Sequence, residues 1–319
     1  MSLKHWETYY RGGLLSTCPT TSAGGYDQEL ESVWTEFLSE LPDGSVVLDI
    51  GTGNGAVVQI IAETARGLSK SWEIHGTDLA QIDPLRHVPD AEKRFSGCRF
   101  HPGVATERLP FDAESIDALC GHYALEYSEP EAAIGEVARV LKPGGRAQFV
   151  THHVDSLLAR NARQTMAEAE LVLGETRIYR RLRRLVAMDD HQPSRDHPAA
   201  RDLQNAIRRL KEAHADLAPS GKGRVLDVAL DAVRQLLVLR RRDRAEKVTL
   251  EVDRAEEEMR LSVRRLQDLL ERALDDDGID SLKRIAQSNS LVCEESAPQY
   301  HAGDNLVGWR LRFVKPNGR

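Results

Sequence analysis

The chain has 319 residues, of which 41% are hydrophobic and 29% are charged, and this composition predicts a soluble globular protein with one large domain or two smaller ones. The net charge of −7 at pH 7 argues against a surface built mainly for nucleic acid. The four cysteines are far apart, so neither a zinc site nor a disulfide framework is indicated, and a cytoplasmic location is expected. No apolar run is long enough to span a membrane.

The first part of the chain, residues 1–44, is predicted to form N-terminal cap or lid helices. Apolar residues recur at helical spacing from Tyr26 to Leu41, and Pro42-Asp43-Gly44 ends that helix. An aromatic segment, HWETYYRGG, precedes it. This segment has two interpretations, a lid over a bound ligand or an anchor for a terminal helix.

Residues 45–154 are predicted to form the core of the fold. SVVLDI is typical of a strand buried on both faces, Gly51 to Gly55 form a turn, and AVVQIIAETARG forms a helix. Strand and helix patterns then alternate as far as GRAQFVTHH. Such repeated units predict an α/β fold with a doubly wound, mostly parallel sheet.

Residues 155–279 lack strand patterns and are dense in Arg, Glu, Leu and Ala. They predict a large all-helical insertion of about three long helices, broken at Pro193, Pro198 and the stretch APSGKGR. Residues 280–319 return to strand patterns, in SLVCEE and GWRLRFVKP. We therefore expect a seven-stranded Rossmann-like sheet whose last two strands follow the insertion.

The glycine turn in VLDIGTGNG is typical of a ligand site, because glycines allow close backbone approach and the next helix offers free N–H groups. No Gly-Lys-Ser/Thr follows, which excludes a P-loop. Gly51, Gly53 and Ala56 satisfy a relaxed dinucleotide pattern, so an NAD site stays open. However, a carboxylate at Asp49 would repel a pyrophosphate and suit a ligand that carries an ammonium group and a sulfonium.

Several segments in order, namely VLDIGTGNG, Asp78, LPFDAESIDALCGHYALEY and EPEAAIGEVARVLKPGGR, resemble the class I S-adenosylmethionine-dependent methyltransferases, particularly their small-molecule branch. The resemblance covers about residues 45–153 and the C-terminal strands. It implies that Asp78 binds the ribose hydroxyls of S-adenosyl-L-methionine. Ala105 stands where many relatives have an Asp that contacts the adenine. The full set of implied cofactor-binding residues is Asp49, Gly51, Thr52, Gly53, Asn54, Gly55, Asp78, Leu79, Ala105, Thr106, Gly121 and His122.

Methyl transfer from a sulfonium requires alignment of the acceptor and exclusion of water, and an oxygen or nitrogen acceptor must also lose its proton. His122, His152 and His153 follow predicted strands, at the edge where open sheets place ligands. Adjacent strand residues point to opposite faces, so at most one of His152 and His153 enters the site. His122 and His153 are the candidate catalytic residues. The alternative for His122 is a hydrogen-bonded structural residue.

These patterns predict a methyltransferase for a small-molecule acceptor, with oxygen or nitrogen favoured over carbon and no metal. The insertion is expected to cover the acceptor site or to mediate a homodimer. Its arginine runs, YRRLRRL and LRRRDRAEK, are interleaved with acidic residues, which argues against nucleic acid. Two alternatives stay open: an NAD-linked oxidoreductase, and an inactive cofactor-binding scaffold that recruits a partner through its helices.

Overall fold

The computed structural model describes residues 3–18, 26–188, 196–218 and 221–317. Seven strands form one sheet in the order β3-β2-β1-β4-β5-β7-β6. The strands are β1 (Val46–Ile50), β2 (Glu73–Asp78), β3 (Cys98–Pro102), β4 (Ile116–His122), β5 (Leu141–Thr151), β6 (Val292–His301) and β7 (Asn305–Val314). Neighbouring strands are parallel from β3 to β5, and β7 pairs antiparallel with both β5 and β6. The predicted seven-stranded, mostly parallel α/β sheet is confirmed.

Helices flank the sheet in the first unit, and the described residues of the second unit contain helices and no strand. The first unit comprises Met1–Ala159 and Glu271–Arg319, and the second comprises Arg160–Leu270. In chain order the helices are α1 (Lys4–Arg11), α2 (Gln28–Leu38), α3 (Ala56–Gly67), α4 (Pro84–His87), α5 (Ala91–Arg94), α6 (Pro130–Val140), α7 (Leu157–Glu170), α8 (Ile178–Val186), α9 (Pro198–Leu217), α10 (Arg224–Arg240), α11 (Ala245–Arg272) and α12 (Asp276–Ser288).

Side chains of β1 alternate between two hydrophobic layers, one on each side of the sheet. Val47 packs with Trp34 of α2 and Ile61 of α3 in one layer. Leu48 packs with Val137 of α6 and Leu282 of α12 in the other. Because successive strand residues face opposite sides, β1 is buried on both faces, as its apolar sequence predicts. In the strand order β1 lies between β2 and β4, so its carboxyl end and the glycine turn after it lie between the ends of these two strands.

The second unit has its own hydrophobic core, which includes Leu182, Leu210 and Val233. It contains more breaks than the sequence predicts. A π-helical turn, Leu171–Glu175, separates α7 from α8. It ends where the Thr176 hydroxyl donates to the carbonyl oxygen of Leu171 and Arg177 adopts a φ of +46°. These features are local and polar, so an apolar periodicity does not indicate them.

One boundary differs from the predicted one. Residues 280–288 belong to helix α12, although the sequence places them with the closing strands. Pro198 begins α9 and Gly223 precedes α10, whereas Pro193 lies outside the described residues. Across the described ranges, no helix combines the length and the apolar character needed to cross a membrane.

Candidate functional site

The turn between β1 and α3 holds three glycines with left-handed backbone conformations. Gly51, Gly53 and Gly55 have φ values of +57°, +52° and +86°. A Cβ atom on Gly51 would lie far inside van der Waals contact with the Cβ atom of Ala124. Both the backbone angle and the lack of space therefore require glycine at residue 51. The same contact shows that the glycine turn lies directly against the segment that follows β4.

Asp78, at the end of β2, holds the glycine turn in place. Its Oδ2 accepts a hydrogen bond from the Gly53 N–H at 2.8 Å, and its Oδ1 accepts one from the Ala80 N–H at 2.8 Å. The side chain is buried, which raises the pKa of Asp78 to about 6. A carboxylate has about four lone-pair sites, so both oxygens can accept a further hydrogen bond. This arrangement suits the recognition of ribose hydroxyl groups.

Asp49, near the end of β1, is a buried carboxyl group with an unmet hydrogen-bonding requirement. It is 1% exposed, and its Oδ1 has no partner among the residues that the structure describes. Burial raises the pKa of Asp49 to about 8, since the charged form is poorly solvated there. The neighbouring Thr52 Oγ1 and Asn54 Oδ1 are also buried and unpaired within the described ranges. Such a group of polar atoms is stabilised by a polar, cationic ligand.

The N-terminal segment lies on the glycine turn. The Asn54 amide Nδ2 donates to the carbonyl oxygens of Tyr10 at 2.9 Å and Leu14 at 2.7 Å. The Tyr10 ring lies so close to Gly53 that a Cβ there would be 2.7 Å from it. Trp6 stacks on Tyr10, with 6.1 Å between ring centroids. This position supports the lid interpretation of the aromatic segment, which stays a prediction.

His122 ends β4 and lies in a cluster of aromatic side chains. Its ring centroid is 4.8 Å from that of Tyr26, 5.5 Å from that of Trp34 and 4.3 Å from that of Tyr123. Both ring nitrogens of His122, and Nε1 of Trp34, are buried without a hydrogen-bond partner in the part of the chain that is described. Burial lowers the pKa of His122 to about 3. The cluster therefore offers hydrogen-bond donors and acceptors with which a ligand can pair.

Tyr123 lies between two histidine rings. Its φ of +55° is unusual for a bulky residue, and it is held by a 2.7 Å hydrogen bond from its N–H to the Val150 carbonyl oxygen. The Tyr123 hydroxyl donates to the carbonyl oxygen of Val307 at 2.9 Å. The ring of His152 stacks parallel to Tyr123 at 4.0 Å between centroids. Burial, together with His122, lowers the pKa of His152 to about 3.

The structure places His152 with His122 around Tyr123, and places His153 elsewhere. The His153 ring stacks on Trp309 at 5.5 Å, and its Nε2 is 3.6 Å from an oxygen of the exposed Asp276 carboxylate. The alternation of side chains along an extended chain explains why the two neighbours diverge. His153 thus contacts neither ring of the Tyr123 stack in the described structure.

Glu126 also lies in this cluster, although it is not among the candidate site residues predicted from the sequence. It lies in a 3-10 turn after β4 and is 6% exposed. Its Oε1 accepts the His152 N–H at 2.7 Å, while its Oε2 is buried and unpaired among the described residues. Burial raises the pKa of Glu126 to about 8. The available signal was an acidic residue inside the otherwise apolar segment ALEY.

The remaining predicted cofactor-binding residues surround the same strand ends. The N–H of Val104 donates to the carbonyl oxygen of Asp78, which brings the half-exposed Ala105 and Thr106 beside that residue. Leu79 is 53% exposed. Gly121 is packed so tightly that a Cβ would be 2.9 Å from the Phe149 ring, and this contact explains why glycine occurs there. No group of three or more metal-ligating side chains occurs within the described ranges.

Comparisons with known proteins identify the domain. A family model described as a methyltransferase domain matches residues 48–149. An uncharacterized methyltransferase of Mycobacterium bovis is 29% identical over 140 residues, or 43% of this chain and 53% of that protein. A tRNA (carboxymethyluridine(34)-5-O)-methyltransferase of Macaca fascicularis is 30% identical over 134 residues, or 39% of this chain and 18% of that protein. The chain therefore spans about half the length, or less, of these curated relatives.

A solved structure, the geranyl diphosphate C-methyltransferase of Streptomyces coelicolor A3(2), shares 18% identity and a TM-score of 0.34, and the match covers 47% of this chain and 65% of that one. The matched segment, residues 48–149, is a methyltransferase domain of the class I S-adenosylmethionine-dependent family, as the resemblance implied. The cofactor of this domain is S-adenosylmethionine. The Asp49 carboxyl group, whose Oδ1 is unpaired among the described residues, fits the ammonium group of this cofactor. The glycine turn allows its close approach to the backbone, and the Asp78 carboxylate fits its ribose.

Proposed function

We propose that the whole chain is a methyltransferase that transfers a methyl group to an oxygen or nitrogen atom of a small-molecule acceptor. One observation carries the proposal. The cluster of unpaired buried polar groups around Tyr123 follows β4, and the contact between Gly51 and Ala124 brings this segment against the cofactor loop. The residues assigned to the cofactor and a group of unpaired buried polar atoms are thereby adjacent at the carboxyl ends of β1 and β4, where open α/β sheets bind ligands.

When bound, the cofactor supplies an activated methyl group on a sulfonium. The protein residues then have to bind and align the cofactor and the acceptor, and to exclude water. This lowers the activation barrier because the reacting groups are fixed in place. Asp49 pairs with the ammonium group and Asp78 accepts hydrogen bonds from the ribose. Tyr10, through its position on Gly53, covers the glycine turn on one side. His122 offers the acceptor a hydrogen bond, and His153 is the weaker of the two predicted catalytic candidates because its contacts are with Trp309 and Asp276.

Aromatic rings enclose His122 on several sides, which suits a small molecule better than a polymer. In the second unit, arginines pair with acidic residues, as in Arg183–Asp253 at 2.8 Å and Arg234–Asp231 at 3.0 Å. Paired arginines of this kind form solvated surfaces and do not favour a nucleic-acid site.

The sequence left two alternatives open, an NAD-linked oxidoreductase and an inactive cofactor-binding scaffold. The buried Asp49 carboxyl group disfavours the pyrophosphate of an NAD-linked oxidoreductase. An inactive scaffold would bind S-adenosylmethionine and transfer nothing, and its helical second unit would recruit a partner. Whether that unit covers the acceptor site or forms a homodimer stays a proposal from the sequence.

Label transfer tests the proposed activity. The purified protein is incubated with methyl-labelled S-adenosylmethionine and whole cell extract, and the products are separated by size. Asp49→Asn serves as the variant that should bind the cofactor poorly. We expect labelled products below the size of a protein or an RNA, and far fewer of them with the variant. Label in RNA or protein only would contradict the small-molecule acceptor, and label in no product would favour the scaffold.

Cofactor binding should release a proton from Asp49. The carboxyl group of the free protein has a pKa of about 8 because burial disfavours its charge, and an adjacent ammonium group lowers that pKa. The affinity for S-adenosylhomocysteine should therefore rise with pH and level off above about 8, since only the deprotonated carboxyl group forms the ion pair. Calorimetry in two buffers of different ionisation enthalpy measures the released proton. Asp49→Asn should abolish the release, and an affinity independent of pH below 8 would refute this role.

A further inference from the structure

The buried Glu126 carboxyl group lies in the aromatic cluster, and none of the roles above uses it. Its Oε1 is held by the N–H of His152 at 2.7 Å, which fixes the orientation of the carboxyl group. Its Oε2 is buried and has no partner within the described ranges. An unpaired buried carboxyl oxygen costs free energy unless a ligand or water pairs with it. Glu126 therefore has a fixed, open hydrogen-bonding position at the acceptor site.

The histidines of the cluster are poorly suited to take a proton near neutral pH. Burial holds the pKa of His122 and of His152 at about 3, so both rings stay neutral and bind an additional proton weakly. Proton transfer is most effective when the pKa of the catalytic group is near the working pH. The pKa of Glu126, raised to about 8 by burial, meets that condition.

The groups that face Glu126 come from three parts of the fold. They are Cys18 of the N-terminal segment, Tyr123 after β4 and His152 after β5, with His122 adjacent to His152. Burial raises the pKa of the Cys18 thiol to about 11 and the pKa of Tyr123 well above its ordinary value. These neighbours are all uncharged at neutral pH. Burial therefore sets the pKa of Glu126. As the pH rises from neutral, Glu126 is the first of these groups to become charged.

We propose that Glu126 is the residue that takes the proton from the methyl acceptor, and that the acceptor is an uncharged aromatic ring bearing a hydroxyl group. This inference rests on the proposed function. A flat ring suits a site lined by Tyr26, Trp34 and Tyr123, and a neutral one suits a cluster without charged partners. An anionic acceptor would be repelled by ionised Glu126.

The step balances in atoms and electrons. The hydroxyl oxygen of the acceptor forms a bond to the methyl carbon, and the carbon–sulfur bond breaks with its electron pair left on the sulfur. The hydroxyl proton goes to the ionised Glu126 carboxylate, which releases it to solvent after the product leaves. Because Glu126 must be ionised first, the rate should increase as the pH approaches 8.

Infrared spectroscopy tests the titration without any acceptor. Spectra of the protein with bound S-adenosylhomocysteine are compared between wild type and Glu126→Gln, which keeps an oxygen for the His152 N–H. We expect the wild type alone to show a protonated carboxyl band that disappears as the pH passes about 8. The subtraction removes any contribution from Asp49. A carboxyl band that persists well above pH 8 would show that Glu126 does not ionise and so cannot take the proton. That result would overturn the proposal while leaving cofactor binding, and thus the proposed function, intact.

Transfer assays with probes test the reaction. Catechol and 2-naphthol should be methylated, and benzoate should not. Glu126→Gln should reduce the rate by about 100-fold or more and abolish its rise toward pH 8, with unchanged S-adenosylhomocysteine affinity and thermal midpoint. Glu126→Asp should restore part of the pH dependence, and the exposed Glu131→Gln should behave like wild type. Methylation of benzoate alone or of no probe, or an unaltered pH profile in Glu126→Gln, would overturn the proposal.

Discussion

Replacement of Asp78 by alanine is expected to weaken the binding of S-adenosylhomocysteine by roughly 10- to 100-fold. The carboxylate holds the glycine turn through the N–H groups of Gly53 and Ala80, and it is the proposed acceptor for the ribose hydroxyls. Hydrogen bonds to a charged group contribute about 1.5–3 kcal/mol, and about 1.4 kcal/mol corresponds to a tenfold change in affinity. Calorimetric titration of both proteins measures the difference.

A matched surface variant separates this effect from a general loss of acidic charge. Glu92→Ala removes an exposed carboxylate in α5, in the helical segment that follows Asp78, and should leave the affinity unchanged. The thermal midpoint of Asp78→Ala is measured alongside, so that a loss of folding is recognised. If Asp78→Ala bound S-adenosylhomocysteine as tightly as wild type, the ribose assignment would fail.

Replacement of Gly51 by alanine is expected to lower both the stability of the protein and its affinity for the cofactor. The backbone at residue 51 has a φ of +57°, which costs about 1–3 kcal/mol for a residue with a Cβ atom. The added Cβ would also overlap the Cβ atom of Ala124, so the turn and the segment after β4 must move apart. Because the glycine turn and the segment that carries Tyr123 meet at this contact, we expect weaker binding of the cofactor as well. Denaturant unfolding and calorimetry measure the two effects.

Two other glycines provide controls for strain and for space. Gly44 has a φ of +75° with nothing within 4 Å of an added Cβ, so Gly44→Ala tests the strain alone. Gly67 has neither a positive φ nor a close neighbour, and Gly67→Ala at the end of α3 should be neutral or slightly stabilising. Cofactor affinity should change only in Gly51→Ala. An equal loss in Gly44→Ala would show that the contact with Ala124 is not the cause.

The sheet and its glycine turn are predictable from sequence because their signals are local. A strand buried on both faces has a continuous apolar run, as in Val46–Ile50, and the turn after it needs glycines at positive φ. Asp78 is predictable for a related reason, since its place at the end of β2 follows from the same alternation of strands and helices. The family comparison confirms the domain that these signals indicate.

The cluster of buried polar groups around Tyr123 was less predictable, because it brings together residues that are far apart in the chain. Glu126 becomes a buried, unpaired carboxyl group only when Cys18 and His152 pack around it. The choice between His152 and His153 depends on which face the chain presents after β5, and no periodic pattern indicates this once the strand has ended. Tyr123 has a strained backbone angle that a tyrosine in sequence does not predict.

The helical second unit shows a further limit. Proline and glycine indicated the starts of α9 and α10, whereas the break after α7 depends on the Thr176 hydroxyl and the conformation of Arg177. Polar hydrogen bonds of this kind compete with helical ones locally and leave the apolar spacing unchanged. The number of helices was therefore underestimated although their apolar residues were recognised.

Asp49 and the glycine turn after β1, together with Asp78 at the end of β2, are proposed to bind the aminoacyl and ribose parts of a sulfonium cofactor. Isothermal titration of the full chain with S-adenosylhomocysteine, and separately with NAD, tests this central claim most directly. We predict saturable binding of S-adenosylhomocysteine that is weakened in Asp78→Ala, and no binding of NAD. Saturable binding of NAD with no heat from S-adenosylhomocysteine would contradict the account.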